Sequence, residues 1–307
     1  MLIILNHSAH AGTALARWKR IEAAIYSRFG DCIRVTELGT GTEALLREFV
    51  EQGERRIVAA GGDGTVNAVL QMVMHLSASQ REQITLGAIG LGSSNDMHKP
   101  HPAQSMIGDV PVKLNFDRSG LRDIGVIRYR DGDCSRTRYW ILNASVGVTA
   151  DANDFFNRGD LLLRFLKRHA TALAILYAAL HSILLTGRRS MLLERDANAA
   201  TMVAVNNLAM LKSPHVSGSL RYDVSPEADS GNFQVHCFSG AMRLQVFALL
   251  LALMRGTPST LRHAEGWEGN LLRIRSAYHF NIECDGEIIL TDEAVITIHP
   301  QRIRVAS

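Results

Sequence analysis

At 307 residues the chain has room for two domains of ordinary size, and with 47% hydrophobic and 21% charged residues its composition is that of a soluble globular protein. A formal net charge of +3 excludes an electrostatic case for a nucleic-acid partner and leaves only weak attraction to an anionic membrane surface. The four cysteines, Cys32, Cys134, Cys237 and Cys284, lie far apart with no CxxC pair, which excludes a zinc site or disulfide framework read from spacing and fits reduced thiols in the cytoplasm.

In chain order, MLIILNHSAH has a short apolar run but no basic n-region, so it predicts a first strand and not a signal peptide. LIIL (2–5), CIRVT (32–36), RIVAA (56–60) and TLGAI (85–89) read as short buried strands. Helical patterns lie between them: Trp18, Ile21, Ile25 and Phe29 on one face, then TEALLREFVEQ, then Val66 to Leu76. Strand and helix in alternation predict a doubly wound parallel sheet, an N-terminal α/β nucleotide-binding domain over 1–119, with ligand at the carboxyl ends of its strands. A return of the chain to this domain at 295–307 is left open.

After FDRSGL (116–121) the rhythm changes. DIGVIRY, RYWILNASVGV, TMVAVNN, FQVHCF, LLRIRS, HFNIEC and AVITIHP predict a mainly antiparallel, β-sandwich-like domain over 120–294, interrupted by helical insertions near 160–186 and 241–255. The apolar stretch 171–186 is too short and too polar at His181 for a bilayer span. With Arg164, Lys167 and Arg168 ahead of it, and with Leu161, Leu162, Phe165 and Leu166, it predicts a lipid entrance at a membrane surface, or a helix packed on the β domain.

Two turns carry the chemistry. Residues 57–70, IVAAGGDGTVNAVL, place Gly61, Gly62 and Gly64 between a strand and a helix, where backbone N–H groups and the helix N-terminus can cradle a phosphate. Asp63 would repel that phosphate unless a divalent cation lies between them, or unless it takes a hydroxyl proton. A helix cap is its plain structural role. Residues 87–96, GAIGLGSSND, repeat the pattern after the next strand and end on Asn95 and Asp96, so both turns are expected to face one crevice.

GGDGTVN, GLGSSND and ECDGE (283–287), in that order and across nearly the whole chain, resemble the motifs of the diacylglycerol kinase catalytic-domain family, which includes bacterial lipid kinases, sphingosine kinases and ceramide kinases. The resemblance implies a nucleotide-binding domain, a β-sandwich domain, and ATP-dependent phosphorylation of a lipid hydroxyl in the cleft between them. It implies ATP contacts at Asn6, Thr36, Gly61, Gly62, Asp63, Gly64, Thr65, Val66, Asn67, Gly92, Ser93, Asn95 and Asp96, with Asp63 serving the Mg2+ that accompanies ATP. Glu287 is implied as proton acceptor and Asp123 as a further acid near the reaction.

Four departures stand out. Ala68 replaces the usual Glu, His7 replaces the proline of the first-strand motif, Ser93 replaces a Thr, and Ser230 in EADSG (227–231) replaces the aspartate of a structural magnesium site, leaving Asp229 as its substitute. The partner implied is a lipid substrate at a membrane surface, the location cytoplasmic and peripherally membrane-associated, and a homodimer is left open.

Other readings compete. GTGTEA (39–44) fits a dinucleotide fingerprint, but it follows the second strand, and Thr40 with Glu43 reads as a capping box. A kinase of the NAD-kinase type shares the GGDG turn, and a non-catalytic lipid- or nucleotide-binding relative would tolerate the departures. The pairs His7/His10 and His98/His101 have helical spacing but no third ligand and read as ordinary polar residues.

Overall fold

The apolar runs of the first half form β1 (Leu2–Leu5), β2 (Arg34–Glu37), β3 (Arg56–Gly61) and β4 (Thr85–Gly90) in a computed structural model that describes residues 1–30, 32–185, 187–196 and 198–307. They pair in parallel in the order β2-β1-β3-β4. Five of the six residues of β3 and of β4 are buried, which is why these strands read as unbroken apolar runs and not as alternation. The crossovers are α1 (Ala14–Phe29), α2 (Thr42–Glu51), and α3 (Asp63–Met74) followed by the short α4 (Ala78–Glu82). Trp18, Ile21 and Ile25 recur at helical spacing on α1 and enter one core with Ile3, Leu5, Val58, Ala60 and Ile89.

The chain divides into two units, Met1–Arg122 with Gln301–Ser307, and Asp123–Pro300. Unit 1 also holds β5 (Met106–Ile107) and β6 (Val110–Lys113), β6 running antiparallel to β4. The chain re-enters unit 1 at its end, where Arg304 and Val305 pair in parallel with Thr85 and Leu86. The capping box expected at Thr40 and Glu43 is not formed. Gly41 is the N-cap, at φ 90°, a conformation open to glycine but strained for threonine. The Thr42 hydroxyl instead ties the turn together, donating to Glu37 O and accepting from Gly39 N.

Unit 2 is built from β7 (Gly120–Asp131), which starts at the boundary, β8 (Cys134–Trp140) and β9 (Asn143–Gly147). Three helices follow, α5 (Val148–Arg158), α6 (Leu161–His169) and α7 (Thr171–Leu185). After them come β10 (Arg189–Arg195), β11 (Thr201–Leu211), the small hairpin β12 (His215–Val216) and β13 (Leu220–Arg221), β14 (Phe233–Ser239), α8 (Arg243–Arg255), β15 (Ala264–Gly269), β16 (Leu271–Cys284) and β17 (Glu287–Val305). The strand pairs β10–β11, β10–β16, β11–β14, β9–β11, β14–β15, β16–β17, β9–β16 and β7–β8 are antiparallel. Trp140, Val146, Leu208, Phe233, Phe280 and Ile282 share its main core, and α7 and α8 bury a second apolar cluster around Tyr222 and Phe238.

Three features differ from the expectation. LLRIRS and HFNIEC are halves of one strand, β16, joined through a register shift between Arg275 and Phe280. β10 and β15 carry charged ends or paired glycines and gain strand character only from their partners. A helix, α5, follows directly on β9. Residue 186, the end of the expected apolar stretch, lies outside the described residues; among those described, no helix is long and apolar enough to cross a membrane.

Candidate active site

In a parallel sheet of order 2-1-3-4, the connections leave β1 and β3 in opposite directions, and the carboxyl ends of these two neighbours open a crevice. Asn6 follows β1, and Gly61 ends β3 and leads through Gly62 into α3. Asn6 Nδ2 donates to Thr65 Oγ1 at 3.0 Å, which joins the two strand ends. The N-terminus of α3 therefore opens at the switch point, a place suited to anionic groups.

The second turn docks on the first. A Cβ on Gly92 would lie 2.4 Å from Gly62 Cα, and a Cβ on Gly61 would lie 2.2 Å from Thr65 Oγ1. Glycine is thus needed here to let two pieces of backbone touch, in addition to any room it leaves for a ligand. Asp63 completes the joint: its Oδ2 and Oδ1 accept the N–H groups of Asp96 and Met97, both at 3.0 Å. Asn95, at φ 50°, holds the loop from inside, accepting from Gly92 N and donating to the carbonyls of Gly90 and Gly92. Arg17 reaches over from α1 to donate to Gly92 O at 2.9 Å.

The expected nucleotide contacts separate into two groups. Ser93 is exposed, and Asn6, Thr36, Gly62, Asp63 and Gly64 are partly exposed, so a ligand can reach them. Thr65, Val66, Asn67, Asn95 and Asp96 are buried, as are Gly61 and Gly92; their side chains shape the turns and do not present a surface. Asn67 is 0% exposed and accepts from Gln71 Nε2 one helical turn on, which accounts for it without a ligand. Asp96 Oδ1 accepts from Lys99 Nζ at 2.5 Å. His98, read as an ordinary polar residue, is buried against this loop, and burial takes its imidazole down to about 4, so it is neutral at pH 7.

Asp63 is the acid of the first glycine turn and the residue there that could hold a cation carried by a nucleotide. The N–H groups of Asp96 and Met97 are among its partners, and a carboxylate offers about four lone-pair sites in all. Among the described residues, no group of three or more His, Cys, Asp or Glu side chains could hold a metal by itself.

In unit 2, Asp285 (φ 47°) and Gly286 (φ 96°) form the two-residue turn of the β16–β17 hairpin, Cys284 facing Glu287. The three acids of ECDGE have different fates. Asp285 is buried and accepts the N–H groups of Ile141, Leu142 and Asn143 at 2.7–3.0 Å. Glu283 accepts from Ser145 Oγ and from Gly286 N. Glu287 alone projects: its side chain is 48% exposed, and Arg138 approaches it at 3.9 Å.

Asp123, read as an acid near the reaction, has a side chain that is 0% exposed and paired with Lys212 Nζ at 2.7 Å. It also accepts from Gly231 N at 2.8 Å. The bonds shown for this buried carboxylate hold the loop around it. Lys212 itself gave no signal in the sequence, since it stands alone after a strand.

Residues 1–108 match the family model of the diacylglycerol kinase catalytic domain. A protein named "Probable lipid kinase YegS-like" from Chromohalobacter salexigens is 44% identical over 64 residues, or 21% of this chain and 20% of that protein. One of the same name from Alcanivorax borkumensis is 39% identical over 64 residues, with the same shares. The match therefore spans about a fifth of the length of these curated relatives. The crystal structure of a diacylglycerol kinase from Bacillus anthracis has the same fold, with a TM-score of 0.65 at 13% identity over 99% of this chain and 95% of that one.

Proposed function

We propose, for a chain that belongs through residues 1–108 to the diacylglycerol kinase catalytic-domain family, that the protein is a lipid kinase. It transfers the γ-phosphoryl group of ATP to the hydroxyl of a lipid such as diacylglycerol, ceramide or a sphingoid base. The observation that carries this reading is the pair of glycine turns, 61–65 and 92–97, in backbone contact at the ends of β3 and β4 where α3 begins. The backbone of Gly62 to Gly64, the α3 N-terminus and the Ser93 hydroxyl bind the phosphates, and Asp63 would hold the cation that accompanies them. Mg2+, arriving with the nucleotide, supplies charge neutralisation for the transfer. Glu287 accepts the proton of the attacking hydroxyl, a role suited to the one acid of its motif not committed to the backbone.

Transfer of labelled γ-phosphate from ATP to a panel of lipid alcohols tests this directly. Labelling of at least one lipid is the expected result. Labelling of NAD alone would replace the reading with a kinase of soluble acceptors, and nucleotide binding with no transfer would make the protein a non-catalytic relative.

The acceptor class implies an encounter with a membrane surface. Leu161, Leu162 and Phe165 on α6 are 82%, 51% and 60% exposed, and Leu184 and Leu185 at the end of α7 are 64% and 70% exposed. On α8, Leu244, Phe247 and Met254 form one stripe, with exposed Arg243 and Arg255 at the two ends of the helix. Sedimentation with phosphatidylglycerol-rich vesicles should show weak binding that fades between low and physiological salt. Binding that survives high salt and needs detergent for release would instead mean a deep anchor.

A further inference from the structure

The resemblance implies a structural magnesium near residues 227–231, and the residues there do not fit one. Asp229, the acid expected to substitute, is exposed, and Ser230 Oγ is turned to the backbone of Asn232. The one buried carboxylate in reach is Asp123, which already faces an ammonium: Lys212, 2% exposed in its side chain, stands directly after β11.

We propose that the Lys212 ammonium is the built-in cation of the 227–232 loop, filling the role of a divalent metal, so that this loop is ordered without one. Lys212 Nζ donates to Asp123 Oδ2 at 2.7 Å, to Glu227 O at 2.5 Å and to Asn232 O at 2.7 Å. Those three acceptors match the three donors of an ammonium. Two of them are main-chain carbonyls five positions apart, so the contact closes a loop, as a metal would, and does more than join two side chains. Asp123 secures the same loop from the other side, accepting from Gly231 N at 2.8 Å and donating its own N–H to Ala228 O at 2.8 Å.

A hard divalent cation takes six or more oxygen ligands and does not share a site with a positive charge. Here one carboxylate and two carbonyls are already saturated by a monovalent group of matching charge. Adding a divalent ion beside Lys212 would leave a buried excess of two positive charges, which a low-dielectric interior does not tolerate.

Amide hydrogen exchange and thermal melting of the full-length protein, in EDTA and in millimolar MgCl2, test the assignment without reference to phosphoryl transfer. The wild-type Gly231 amide should be equally protected in both, with the same Tm. Lys212→Met keeps the stem and removes the charge. It should speed exchange at Gly231 by roughly tenfold or more and lower the Tm by roughly 6–20 °C, the range for one buried charge left without its partner in a domain of this size. Should that variant not fold, the wild-type comparison still decides. Wild-type protection that disappears in EDTA and returns with MgCl2 would show that a metal holds the loop. A Lys212→Met protein with unchanged Gly231 protection would show that the ammonium does not hold it. Either result overturns the proposal, whatever the protein phosphorylates.

Discussion

Glu287→Gln is expected to lower lipid-kinase turnover by roughly two to four orders of magnitude while changing ATP affinity little. The substitution keeps shape and hydrogen-bonding capacity and removes only the basic oxygen. Glu283 and Asp285 hold the hairpin and β9 in place through Ser145, Gly286 and the N–H groups of 141–143, so neither can leave its bonds to take a proton without loosening the fold. Glu287 has no such structural duty: its nearest charged neighbour is Arg138 at 3.9 Å, and its side chain is half exposed. Stability of the Gln variant should accordingly stay within about 0.5 kcal/mol of the parent, as for an ordinary surface substitution. Steady-state kinetics with the accepted lipid, together with ATP titration, separate the outcomes. Near-normal turnover would pass the proton-accepting role to Asp63, and a loss of ATP binding would place Glu287 among the nucleotide contacts instead.

The contrast among these acids shows what a sequence can and cannot say. ECDGE displays three carboxylates within five positions, and nothing in the string tells which one is spare. That is decided by the two-residue turn, which buries Asp285 under the N–H groups of the β8–β9 connection and the first residue of β9, more than a hundred residues earlier. The surroundings of Asp123 were hidden for the same reason, since its partner Lys212 lies 89 residues away with no pattern around it. Local periodicity, by comparison, was legible: the alternation of apolar runs with the helical face of Trp18, Ile21 and Ile25 on α1 places β1 to β4 within about two residues of where they lie, although β2 has no buried residue and the parallel pairing of Arg304 and Val305 with β4 left no such pattern. β10 and β15 were not legible, because edge charges and glycines hide strands that exist by pairing. Turn chemistry was half legible. The glycines at 61, 62 and 92 marked the two turns, and Asp63 does lie at the start of a helix, but the bonds that run from it to Asp96 and Met97 reach another loop, which no spacing rule contains.

That loop-to-loop joint leads to the second large effect. Gly92→Ala is expected to cost unit 1 about 1–3 kcal/mol, the usual penalty for overpacking, and to weaken ATP binding by roughly tenfold or more. The new methyl carbon would sit 2.4 Å from Gly62 Cα, 3.1 Å from Gly62 N and 3.0 Å from Asn95 Oδ1. Two of these neighbours are backbone atoms, which cannot swing aside as a flexible side chain would. Relief therefore requires the two turns to separate, and separation draws the N–H groups of Asp96 and Met97 away from Asp63. Gly62→Ala provides the control. Its φ of −92° suits any residue, and its Cβ would meet Gly92 Cα at 3.3 Å, a contact that a shift of a few tenths of an ångström relieves. Thermal melting and ATP calorimetry on both variants should rank Gly92→Ala as the more damaged by either measure. If the two were equally damaged in ATP binding yet equally stable, space at the phosphates and not turn packing would be what these glycines provide, and the joint would have no part in forming the site.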